Sequence, residues 1–598
     1  MNQHTREREP SAAPSPIPNK GSRKPRFTVE VALWILIGIT ALALRLGRLD
    51  AGPLGPGESR EALFAWRAAT GQGMPQAHYS PALLTLNLII FHIFGASDVL
   101  ARFWPALCGS ALSLTPLFLR GRIGRVGMLM TGLCLALSPT LLYASRQLEG
   151  TIVAAFAWMV FLGGLSSFFD SGKRLWLTIS AGAFGLLVTS GSTAYGLMVP
   201  LGLAWLSLAW TWSDGGIRWL AGRLAPHLLH MLFVSVLVGL MFATAGWWNP
   251  AGLGAAGDLL PEWVARFGFV SASAVSPSIL LTAYELATLL FGLGGLAWAI
   301  KVRSRFGMVV GVWAGLAFVL LHVMPGRTEL DIVWVLLPLT LLAGLALEYL
   351  IKGLQREGDW LSEGLHIPVV VLLWCHLYLV LGRYAAYGNN ADLALATLTV
   401  ALQGLLTVIF ALATKVGAAL RALAAGTGIV LLVVEISLGW GVAQVRPADP
   451  RELLIGEATA VEVRDLIETL SDLSWRRTGL PFALPFTLEA PPDSVLAWYL
   501  RDHTAGDMEP FPSVLVTVHY SDGSGSGHTF DRGEYYVGQA FALSRSWDMR
   551  EIRCIQGWPP DCRSAIKWWL FRDSPTTPMV RQKAILWLLR EDVASHSH

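Results

Sequence analysis

From Val29 to Trp440 the chain alternates between apolar runs and short polar connections. The runs are about 18–22 residues long, enough to cross a bilayer core of roughly 30 Å as a helix. Thirteen read as transmembrane helices, near 29–46, 99–119, 126–143, 151–168, 175–190, 193–212, 227–246, 278–300, 306–323, 331–351, 366–382, 392–413 and 418–440. A further apolar stretch, 81–95, is shorter, carries Asn87 and His92, and stops at Phe94-Gly95. It reads as a helix lying in the membrane interface. Beyond 440 the pattern becomes that of a soluble unit. "RELLIGEATAVEVRDLIETLSDL" and "MVRQKAILWLLRE" have helical spacing, whereas "SVLVTVHY" and "EYYVGQAFAL" are strand-like.

The predicted architecture is therefore an α-helical polytopic membrane protein of about 13 transmembrane helices (29–440), with a small extracytoplasmic α/β domain at 441–598. Residues 1–28, rich in Pro, Ser and basic residues, read as a disordered cytoplasmic tail rather than a cleaved signal peptide, because the apolar run starts late.

Charge supports this layout. With the N-terminus in the cytoplasm, the inner loops hold Arg120, Arg122, Arg125, Lys173, Arg174, Arg218, Arg223, Lys301, Arg303, Arg305, Lys352, Arg356, Lys415 and Arg421. The outer loops beyond the first hold Arg146, Arg266, Arg327 and Arg383, the asymmetry the positive-inside rule expects at a plasma membrane. Counting 81–95 as a span would put "RGRIGR" outside. The composition, 53% hydrophobic and 15% charged, excludes an ordinary soluble protein, and a net charge of +3 gives no footing for nucleic acid. Cys108, Cys134 and Cys375 fall in spans, where a buried thiol needs no function. Cys554 and Cys562 flank "IQGWPPD", a turn that brings them together; outside the cytoplasm they read as a disulfide, the other reading being two free thiols.

Candidate chemistry concentrates in the outer loops. The first, 47–98, contains "GPGESREALFAW", with Glu58 and Glu61. One reading makes Glu58 or Ser59 the cap of a surface helix. The other makes Glu58 a carboxylate at the membrane face, placed to take a proton from an acceptor hydroxyl. "YASRQLEGT" supplies Arg146 and Glu149, and "PGRTELD" supplies Arg327, Glu329 and Asp331. Each alone suits a solvated loop. Together they would surround one outward cavity in which Arg146 or Arg327 suits a phosphate leaving group. Arg60, His78 and Tyr79 are further candidate substrate contacts, the last two also being ordinary interfacial anchors. Within the spans Glu285, Glu348, Glu435 and His376 are isolated, without the ladder of a proton-coupled transporter. No P-loop, inverted repeat or Cys/His metal spacing appears.

The first outer loop with its acid, the stretch "SPALLTLNLIIFHIFGASDVLARFWPAL" and then "GRIGRVGMLMTGLCLALSPTLLYASR" resemble the GT-C membrane glycosyltransferases. These include the protein mannosyltransferases and the lipid A aminoarabinose transferases. The likeness is nearest to a prokaryotic flippase-activity-associated glycosyltransferase-like family. It is most specific over 45–150 and returns at "LPLTLLAGLALEYL" and "LAWYLRD". Members of that family carry His-Asp-Glu-Ser in the first loop, where this chain has Pro56, Gly57, Glu58 and Ser59. Ser145 and Arg146 match the second loop, while Glu149, Gly150 and Thr151 replace its Arg-Asn-Asp. Thr189, Ser190 and Gly191 stand for Thr-Lys-Glu, and Gly326, Arg327 and Thr328 for Gly-Glu-Lys.

The resemblance implies transfer of a sugar from a polyprenyl-phosphate donor to an acceptor on the outer membrane face. Glu58 would be the base, aided by Glu149, and Arg146 and Arg327 would neutralise the departing lipid phosphate. Helices at 58–70 and 81–95 would guide the isoprenoid, and the C-terminal domain would bind acceptor. No cofactor is indicated; the class admits a divalent cation, but no ligand set is spelled out here. The four departures from the family pattern support a second reading, a catalytically degenerate lipid-linked-sugar binding or flippase-assisting protein.

Overall fold

The computed structural model describes residues 28–75, 78–211, 222–268, 275–357, 360–505, 512–520, 535–549, 552 and 562–590. All thirteen predicted stretches fall on helix where described, but not all as single rods. The stretch 99–119 is three short pieces, Asp98–Ala101, Phe103–Leu112 and the 3₁₀ turn Thr115–Leu119. Pro139 restarts the chain after Ser138, dividing 126–143 into Arg125–Leu137 and Pro139–Ala144. Pro277–Tyr284 and Leu286–Val302 meet at 105°. Among the described residues eight helices are long and apolar enough to cross a membrane, or nine if that bent pair is one span. The protein is thus multi-pass, but the count of thirteen does not follow from helix length and composition.

Helix α1 (Val29–Leu46) starts at Thr28, whose side chain accepts from the Val31 N–H. Its last turn is fixed by the buried Arg45, which donates to Ser145 Oγ at 3.1 Å and to the carbonyls of Ala136 and Leu135 at 3.0 and 2.8 Å. Helix α2 (Pro56–Ala69) has Pro56 at its first turn, where no helical N–H is required. It buries Ala62, Leu63 and Ala65. Helix α3 (Pro81–Phe94) is capped by Ser80. Contrary to a helix simply resting on a surface, α3 packs nine of its residues inside the protein. Thr85 donates to the Phe242 carbonyl at 2.7 Å, while Ile93 and Phe94 stay exposed.

The C-terminal unit is a five-stranded sheet of β1 (Ala458–Thr459), β2 (Thr487–Glu489), β3 (Val514–Tyr520), β4 (Tyr536–Ser546) and β5 (Met579–Leu589), in the order β1-β4-β5-β3-β2. The β2–β3 pair is parallel and the others are antiparallel. The helix Glu462–Thr478 sets Val463, Leu466 and Leu470 against Val514, Val516, Val518 and Phe541. Each such side chain contributes about 1.5–3 kcal/mol on burial.

Two expectations change here. "MVRQKAILWLLRE" is the strand β5, not a helix; it lies between β3 and β4, and the alternating Ala584 and Leu586 face the core. Within "RELLIGEATAVEVRDLIETLSDL" helix begins only at Glu462, because Ala458–Thr459 pairs with β4.

The sheet unit is bolted to the membrane unit. Asp98 accepts from Trp498 Nε1 at 2.9 Å and from the Tyr499 hydroxyl at 2.8 Å, and that hydroxyl accepts from the Leu54 N–H. Buried Glu452 accepts from Arg446, Arg572 and the Tyr284 hydroxyl at 2.7, 3.2 and 2.6 Å.

Candidate active site

The three loops singled out from sequence do converge. They enclose a cavity of ≈ 530 Å³ with residues 55–61 on one side, 147–151 on another and 328–330 on a third. Residues 190–193, Glu262 and Arg266, and Leu454, Gly456 and Glu457 of the C-terminal unit complete the wall. One departure from the family pattern, Gly150, has a local physical cause. A Cβ on Gly150 would run into the Ser190 carbonyl oxygen, so the second and third loops meet backbone to backbone there. At Gly57, by contrast, a Cβ would meet nothing within 4 Å.

Glu58 does not sit as a free base. Its Oε1 accepts from Arg102 Nε at 2.8 Å and the Leu148 N–H at 2.7 Å, and its Oε2 from Arg102 Nη2 at 2.6 Å and the Gly55 N–H at 2.8 Å. This buried, bidentate pair ties α2 to the loop before Gly150 and fills the carboxylate's acceptor positions. Arg102 also donates to the carbonyls of Leu49, Gly52 and Pro53, fixing the whole entry to α2.

Arg146 likewise faces protein rather than cavity. It donates to the carbonyls of Leu44, Arg45, Gly47 and Arg48, closing the C-terminal end of α1. Burial pushes it down to about 10. Arg327 does not line the cavity; its donors reach the carbonyls of Val275 and Met324.

Glu149 does line the cavity, N-terminal to the helix Gly150–Ser171, and accepts from Thr151 Oγ1 at 3.0 Å. Burial, with the Asp331 charge adding to it, raises it to about 7. Glu61, present in the quoted first-loop stretch but not chosen from it, is the other such group. It accepts from the Ser80 N–H at 3.1 Å, and burial raises it to about 7 against the opposing pull of that hydrogen bond. Arg60 lines the same wall, and its buried Nε has no hydrogen-bond partner among the described residues. His78 is exposed at the rim in a left-handed conformation, φ 58°. The Tyr79 hydroxyl accepts from Asn249 Nδ2 at 2.8 Å.

Sequence reasoning also passed over Arg266. It pairs with buried Asp331 at 3.2 Å and donates to Ser192 Oγ at 2.7 Å, so the later outer loop is fastened to the third. Its one signal was position, as a cation in an outer loop. Among the described residues no group of three His, Cys, Asp or Glu is placed to hold a metal ion. Cys562 is disulfide-bonded, Cys554 lies outside the described residues, and Cys108, Cys134 and Cys375 are free thiols.

No family model and no curated protein matches the chain. Solved structures do. ArnT from Cupriavidus metallidurans bound to undecaprenyl phosphate aligns at TM-score 0.53 and 18% identity, over 82% of this chain and 92% of that one. The same protein in the apo state gives 0.51 over the same shares. The Archaeoglobus fulgidus oligosaccharyltransferase, apo form, gives 0.46 at 14% identity, over 81% of this chain and 61% of that one. The chain shares its fold with that ArnT.

Proposed function

We propose that this protein transfers a sugar from a polyprenyl-phosphate donor to an acceptor hydroxyl at the extracytoplasmic face, with its N-terminus in the cytoplasm. The observation that supports this reading best is the pairing, in one cavity of a GT-C fold, of two half-buried carboxylates raised to about 7 with two arginines. Glu61 takes the proton of the acceptor, whose oxygen attacks the anomeric carbon as the bond to the phosphate oxygen breaks. Glu149, across the cavity, accepts a hydrogen bond from the sugar or shares the proton. A carboxyl group ionising near neutrality is suited to such transfer. Arg60 and Arg266 receive the charge of the departing lipid phosphate. Glu58 and Arg146 act as braces in this scheme. The binding-protein reading draws on Gly57, Ser190, Gly191 and Thr328, which stand where the family pattern has charged residues.

The test is turnover of a panel of polyprenyl-phosphate sugars by the full chain in nanodiscs, beside Glu61→Gln. Release of polyprenyl phosphate by the wild type and not by the variant supports the scheme. Binding without release, equal in both proteins, would leave the second reading standing.

A further inference from the structure

The 105° break between Pro277–Tyr284 and Leu286–Val302 falls at Glu285, a residue with no exposed surface. Its Oε1 accepts from Ser138 Oγ at 2.6 Å and the Thr140 N–H at 3.0 Å; its Oε2 is buried and, among the described residues, has no hydrogen-bond partner of ordinary geometry. A second carboxylate comes from the helix Val416–Trp440. Glu435, 4% exposed, accepts through Oε1 from the N–H groups of Ala287 and Thr288, the first turn of the helix that Glu285 precedes. The Thr288 hydroxyl, 1% exposed, is turned toward Glu285 and, among the described residues, has no partner outside this cluster. Three polar groups of two segments thus meet at the start of one helix. Two carboxylates buried at one helix start among apolar side chains cannot both remain charged at low cost unless a positive charge accompanies them.

We infer that Glu285, Glu435 and Thr288 form a site for one small monovalent cation, a proton or a sodium-sized ion, which locks the broken helix to the walls of the cavity. The locking follows from what each side of the break holds. Through Ser138 and Thr140, Glu285 fixes the segment Pro139–Ala144 that brings Tyr143 to the cavity. Through Tyr284, whose hydroxyl donates to Glu452 and accepts from the Leu453 N–H at 2.9 Å, the same break holds Leu454 and Gly456. The charged or titratable neighbours are Cys134, which feels both carboxylates, and Arg572, whose Nη2 donates to the Ala283 carbonyl. Arg572 itself is paired with Glu452, so it does not supply the missing charge.

The experiment is the melting temperature of the full chain in nanodiscs above pH 8, in N-methylglucamine or sodium chloride. Wild type is compared with Glu285→Gln and with Glu435→Gln, since one neutral partner removes the need for a cation. The expected result is a wild-type midpoint that falls with rising pH more steeply than that of either variant. Recovery by sodium, seen in wild type alone, identifies a metal-ion site; the steeper fall without recovery identifies a shared proton. Equal pH and sodium dependence in all three proteins overturns the inference. Should neither variant fold, infrared spectra of the wild type decide. A protonated-carboxyl band persisting above pH 8, or sodium protection, upholds the site, and neither overturns it.

Discussion

Helix α2 carries two carboxylates one turn apart, and its two sides form contrasting regions. On the Glu58 side four donors converge, with Arg102 serving five acceptors at once. On the Glu61 side the cavity offers one backbone N–H, a neighbouring arginine, and the negative charges of Glu262 and Glu149. Glu58 is buried and Glu61 partly exposed to the cavity, but partial exposure alone does not make a reagent. Completeness of partners separates frame from reagent. A saturated carboxylate has no lone pair left for an incoming hydroxyl, whereas an under-supplied one is ready to exchange a proton.

That contrast is open to attack from either side. Glu61→Gln should lower polyprenyl-phosphate release by about 10²–10⁴-fold while leaving the melting temperature near wild type. A variant that loses stability instead would move Glu61 into the frame. Arg102→Leu should do the reverse, costing about 3–5 kcal/mol by stranding a buried charge. A thermal midpoint unchanged from wild type would break the assignment of Glu58 as brace. Arg146→Gln should cost about 1–3 kcal/mol, as carbonyls at the end of α1 lose their donors, with polyprenyl-phosphate affinity unchanged in a binding titration. Weaker lipid binding at full stability would return Arg146 to the site.

Acidity gives a finer test. Glu61 and Glu149 are raised from about 4.5 to about 7 in the fold, so the folded state holds protons the unfolded chain has released. Their contribution to stability is fully present below the ordinary carboxylate value and is lost as pH climbs through about 7. Turnover should rise over the same interval, because the base must be ionised. The Glu61→Gln, Glu149→Gln double variant should flatten the stability slope; an unaltered slope would locate the protons elsewhere. The smallest effect belongs to Gly57→Asp. Nothing crowds that position, and an acid in the first turn of α2 should stabilise it by about 0.3–1 kcal/mol. The added charge should move the midpoint of the pH–rate profile upward; a downward move would contradict the electrostatics drawn here.

Much of this was legible in sequence. The thirteen apolar runs fall on helix, though the helices Gly252–Ala265 and Arg563–Phe571 were not foreseen, and the outer loops "GPGESREALFAW", "YASRQLEGT" and "PGRTELD" do border one cavity. What escaped has physical explanations. Glu58 and Glu61 look alike in the chain because only the fold brings Arg102, 44 residues away, to one of them. Arg146 lies in the right loop, but its direction is set by the end of α1, about a hundred residues earlier. In β5, Val580, Ala584, Ile585 and Leu588 match a helical stripe as well as a strand, and pairing with β3 and β4 decides. Span number suffered because proline and glutamate breaks shorten helices without interrupting the apolar run.

The cavity wall closes with Leu454, Gly456 and Glu457, after every membrane helix of the chain. Synthesis proceeds from the N-terminus, so the first loop with its acids waits through the insertion of all later helices for its last neighbour. A ribosome stalled anywhere before that point would leave in the bilayer a fragment with the cavity's carboxylates but no enclosed chamber. The cavity therefore comes together late, and a truncated copy lacks part of its wall.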